Sequence, residues 1–63
     1  MANLEDVIGQ VAKFKYRVDA FDSEIRQPEL GRGPAVTLVM ALRESYGELD
    51  SLAKEYAESL PDA

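Results

Sequence analysis

Two stretches of the chain repeat apolar residues at alternating steps of three and four. In the first, Leu4, Val7, Val11, Phe14, Val18, Phe21 and Ile25 follow one another without a break. That is the a/d pattern of a coiled-coil-like helix, and no strand can use its period. In the second, Ala35, Val39, Leu42, Tyr46, Leu49, Ala53, Tyr56 and Leu60 do the same. Asn3 is a good N-cap for the first helix, with Asp6 in the N3 place of a capping box. Pro28 forbids continuation and pushes Gln27 out of helical geometry. Pro34 suits a first helical position with Gly33 as its cap, and Pro61 ends the second pattern. The expected elements are helix 1 over about 4–26, a loop over about 27–33 and helix 2 over about 34–60.

Two helices joined by so short a loop make an antiparallel hairpin. Folding the chain back sets Ile25 opposite Ala35, Phe21 by Val39, Val18 by Leu42 and Phe14 by Tyr46. Val11 then meets Leu49, Val7 meets Ala53, and Leu4 meets Tyr56. The same register brings Lys15 near Asp50 and Asp22 near Arg43, an expectation of two ion pairs along one edge.

Size limits what the hairpin can do alone. The chain has 63 residues, no Cys and no His, so disulfides and the usual zinc sites are excluded. A core this small rarely supplies more than about 3–5 kcal/mol without a staple or a partner. Assembly with another chain, expected to be a copy of itself, is the remaining route. The start of helix 2 points the same way. In "AVTLVMAL" only Thr37 is polar, and a helix apolar around most of its circumference is covered on more than one side. The fold class expected is therefore all-α, an antiparallel helical hairpin dimerising into a four-helix bundle. Val36, Leu38, Met40 and Ala41 are the residues assigned to its oligomer or partner interface. The open end carries Glu5, Asp6, Glu55, Glu58 and Asp62 with Lys54 among them, whereas Arg26, Arg32 and Arg43 lie toward the loop. Separating the acidic ends places the loops of two hairpins at opposite ends.

Charge bears on partners. The net charge is −5 and the sequence pI about 4.5, which opposes general attraction to nucleic-acid backbones. The chain is 46% hydrophobic and 30% charged, a globular balance. No signal peptide is expected, since "MANLEDVIGQ" lacks a basic segment before an apolar run. "AVTLVMAL" is far too short to span a bilayer, and a cytoplasmic location is expected.

The one basic cluster is "KFKYR", residues 13–17. On a helix it comes apart: Phe14 takes a core position, Lys15 and Arg17 flank the seam, and Lys13 and Tyr16 point outward. The alternative reading is a nucleic-acid contact made by Lys13, Tyr16 and Arg17, but Asp19, Asp22 and Glu24 follow at once. A hairpin that dimerises into a four-helix bundle resembles in outline the RNA-binding ROP type. That resemblance covers architecture and length and has no diagnostic motif, and it implies RNA contact through helix 1. "YGELD", Tyr46 to Asp50, is similar to the Tyr-x-x-x-Asp/Glu pattern of type VII (ESX) secretion substrates. Their turn carries Trp-x-Gly where this one reads "ELGRG".

Catalytic chemistry has little to work with. Without His or Cys there is no ready base, nucleophile or soft metal ligand, and "GRGP" lacks the Lys-Ser/Thr of a phosphate-binding loop. Carboxylate pairs such as Asp19 with Asp22, or Glu55 with Glu58, sit on convex helix surface. The expectation is a protein that is not an enzyme and holds no cofactor or metal. It is expected to act through protein–protein contact as a regulator, adaptor or assembly subunit.

Overall fold

The computed structural model describes residues 2–62, and the described residues are all helix, turn and loop. Helix α1 spans Leu4–Ile25 and α2 spans Arg32–Glu58. They pack against each other as a rod of 50 × 19 × 16 Å.

The N-terminus of α1 is built as a reciprocal cap. Asp6 N donates to Asn3 Oδ1 at 2.9 Å, and Asn3 N donates to Asp6 Oδ2 at 3.2 Å. Two of the helix's unpaired amides are thereby satisfied, and Glu5 and Asp6 add charge that suits the helix dipole.

Helix α2 begins two residues earlier than the proline suggests. Gly31 is the N-cap, Arg32 opens the helix and Pro34 occupies the third position. The first α-type bond runs from Ala35 N to Gly31 O at 3.1 Å. Pro34 is tolerated there because a first-turn amide has no intrahelical partner to lose. Gly33 has no Cβ for the proline ring to crowd. The connection needs no unusual backbone either: no described glycine has a positive φ. No side chain caps α2 at Gly31, and its first turn has no acidic residue. It is the less well terminated of the two helices.

The register between the helices is set by an aromatic pair. The rings of Phe14 and Tyr46 lie 6.1 Å apart at 58°, a tilted arrangement that aromatic quadrupoles favour. Gln10 Nε2 donates to Glu48 Oε2 at 3.3 Å further toward the open end, and Ala2 N donates to Glu55 Oε1 at 3.1 Å at that end.

On α1 the half-buried apolar residues are Val7, Val11, Phe14, Phe21 and Ile25, whereas Leu4 and Val18, placed in the seam by the heptad steps, are exposed at its flank. On α2 the outcome differs. Ala35, Leu42, Leu49 and Tyr56 face α1 as expected, but their companions are Leu38, Ser45 and Leu52. Val39 and Tyr46, assigned to the seam by the sequence pattern, are 43% and 56% exposed. Both columns have the same spacing, and the rotation half-buries Leu38 and Leu52 with the small Ser45 between them. The two expected cross-helix ion pairs are replaced by local ones. Asp22 pairs with Arg26 at 2.8 Å and Asp50 with Lys54 at 3.0 Å, both at i, i+4. A partner four residues away on the same helix is already in reach and needs no tertiary alignment.

Neither helix contains a fully buried side chain, and among the described residues Ala2 alone is buried. The radius of gyration is 14.9 Å, against about 11 Å for a compact chain of this length.

Candidate interaction surface

The hairpin has two long sides, and the helical repeat assigns residues to each. One side is charged. Lys13 and Arg17 of α1 share a shallow groove with Ala41, Glu44, Ser45 and Glu48 of α2. Toward the loop the same side continues as a hollow lined by Arg17, Ala20, Phe21, Glu24, Leu38 and Ala41, among others. The Gln10–Glu48 hydrogen bond closes it toward the open end.

The other side is apolar. On α1 the steps from Leu4 to Ile8, Val11, Lys15 and Val18 place these residues in one row beside the seam. On α2 the matching row is Val36, Val39, Arg43, Tyr46 and Asp50, while Met40, about 100° on from Val39, points away from α1. Leu4, Ile8, Val18, Val36, Val39, Met40 and Tyr46 are all exposed, Ile8 at 57% and Met40 at 63%. Phe14, Leu42, Arg43 and Tyr46 line a shallow hollow midway along this side. Tyr46 therefore has one edge against Phe14 and the rest of its ring in solvent.

The four residues assigned to an interface from sequence do not share one side. Val36 stands at the edge of the apolar row, and Met40, four residues on, points away from α1. Leu38 is half-buried against α1 and Ala41 opens onto the charged side. The sequence assignment missed Ile8, Val39 and Tyr46. Ile8 lies one residue beyond the Leu4–Val7–Val11 steps, and its i, i+4 spacing from Leu4 is the signal that finds it.

The three residues of the nucleic-acid reading are also divided. Tyr16 is 71% exposed and points away from the seam, next to Lys13 at i, i+3. Arg17 turns toward the groove, where it and Lys13 meet the carboxylates of Glu44 and Glu48 as co-lining residues. Acidic side chains across a groove weaken the positive field that a phosphate backbone needs.

Lys54 lies beside Asp50 on α2. Its hydrogen bond to Asp50, and that carboxylate's charge, hold the ammonium above its ordinary value. Among the described residues no group of three His, Cys, Asp or Glu side chains is placed to hold a metal ion. No described helix is long and apolar enough to cross a membrane. No protein-family model, curated protein or solved structure matches the chain, so the likeness to ROP-type hairpins rests on architecture alone.

Proposed function

We propose that the chain is a non-enzymatic protein–protein interaction module, a small regulator, adaptor or assembly subunit that acts as a homodimeric four-helix bundle. The observation that carries this reading is the exposed row Val36, Val39 and Tyr46, on a helix whose neighbouring columns already pack against α1. Contiguous apolar surface of this kind marks an association site rather than ordinary surface. A hairpin with no fully buried side chain in either helix also has little to hold it together alone.

Light scattering combined with thermal melts followed by circular dichroism tests the reading. A dimer mass, with a midpoint that rises with protein concentration, supports it. A monomer that melts at one temperature across the whole concentration range overturns it. The nucleic-acid alternative draws on Tyr16, exposed beside Lys13. It predicts RNA binding that falls steeply with salt and is abolished by Lys13→Glu with Arg17→Glu.

A further inference from the structure

The charged groove, the loop-end hollow, the acidic open end and the two long sides differ in what they can recognise, and the apolar side carries the most. We infer that this side is the contact between two copies of the chain, packed with their loops at opposite ends. The inference rests on the homodimer reading above and adds to it the face and the direction.

Area comes first. The single chain exposes 5175 Å², whereas a folded monomer of 7.0 kDa exposes about 4,000 Å². The excess, about 1,100 Å², exceeds the roughly 800 Å² that each partner contributes to a standard specific interface. A second hairpin lying along the apolar side is long enough to remove it, because the exposed apolar residues run from Leu4 near the open end to Val36 near the loop. The charged side is a poor substitute. Covering it would desolvate Lys13, Arg17, Glu24, Glu44 and Glu48 together.

Charge then sets the direction. A two-fold axis lying in the contact plane and across the rod reverses the second copy. It sets α1 on α1 and α2 on α2, both antiparallel, with Tyr46 near the axis because Phe14 fixes its height at mid-rod. The open end of each copy, with Glu5, Asp6, Glu58 and Asp62, then lies beside the loop end of the other, where Arg26 and Arg32 stand among Asp22, Glu24 and Glu29. An axis along the rod does the opposite. It stacks acidic end on acidic end. Like charges so placed disfavour that arrangement.

A chain without cysteine is suited to site-specific labels. Glu29→Cys, in the exposed loop, carries one spin label per copy without touching either long side. Loops at opposite ends give a label separation close to the 50 Å length of the rod. A separation near its 19 Å width overturns the direction. Substitutions locate the face. Ile8→Glu with Val39→Glu should raise the dimer dissociation constant by about 100-fold or more, the scale for losing central apolar contacts. Ala41→Glu, on the charged side, should leave it within about threefold. The reverse pattern overturns the face while leaving a dimer in place. A monomeric wild-type chain at all concentrations removes the homodimer reading itself, and this inference with it. Should the Ile8/Val39 variant lose its helicity, the label distance in the Glu29→Cys chain still decides the direction.

Discussion

The two sides of the hairpin are made by the same two helices, yet they present different chemistry. On one, Lys13 and Arg17 face Glu44 and Glu48 across a groove, and each charge keeps its water. On the other, Ile8, Val39 and Tyr46 stand in solvent, and Lys15, Asp22, Arg43 and Asp50 are the charged residues at the same helical steps. The difference originates in α2. It carries three largely apolar columns, 35/42/49/56, 38/45/52 and 39/46/53, and α1 covers the first two and, of the third, half-buries only Ala53. The column left over faces the same way as the spare row of α1, so the uncovered surface is continuous rather than scattered.

Substitutions can break this comparison between covered and uncovered columns. The largest effect is expected at Phe14, which serves both the seam and the hollow of the apolar side. Phe14→Ala should cost about 3 kcal/mol, seen as loss of helicity at every concentration. Next come the adjacent residues Leu38 and Val39. Leu38→Ala should destabilise the hairpin by about 2 kcal/mol even in dilute samples. Val39→Ala should act on association and leave the dilute chain nearly unchanged. Equal effects of the two, measured by denaturant melts at low and high concentration, would mean that α2 is not rotated as described.

The contrast between Leu38 and Val39 also marks how far the sequence could be read. Five of the seven heptad positions of α1, the Asn3–Asp6 cap and the pairing of Phe14 with Tyr46 were legible, because each depends on local spacing and strong residue preferences; Leu4 and Val18 were not, and stand exposed. The choice of second column on α2 was not. Leu38, Ser45 and Leu52 recur at the same steps as Val39, Tyr46 and Ala53, and only packing volume separates them. The ion pairs were misassigned because the cross-helix register made them plausible while Arg26 and Lys54, four residues from their partners, were closer competitors. The start of α2 was set two residues late because a first-turn proline is compatible with more than one position. The apolar row that includes Ile8 escaped notice because Leu4, Val18, Val39 and Tyr46 were assigned to the seam, which left Ile8 isolated.

Smaller effects sharpen the picture at the helix ends and exposed flanks. Asn3→Ala removes the α1 cap and should cost about 1 kcal/mol. Gly9 has open space where a Cβ would stand, so Gly9→Ala should stabilise the chain by about 1 kcal/mol. Lys54 should give the smallest signal. Its folded value lies above the unfolded one, so its contribution is present at neutral pH and is lost as pH rises through the folded value. With the side chain exposed, Lys54→Ala should barely move the melting midpoint at neutral pH.

Two tyrosines offer the most direct test of the uncovered side. Tyr16 points outward from α1 away from both long sides, and Tyr46 stands at the middle of the apolar one; both are exposed in the single chain. Hydroxyl-radical footprinting across a range of protein concentrations compares them in one sample, with half-buried Tyr56 as the reference. Selective protection of Tyr46 as the chain associates, with Tyr16 unchanged, is the predicted result. Equal labelling of the two at concentrations where the chain is dimeric would contradict the account.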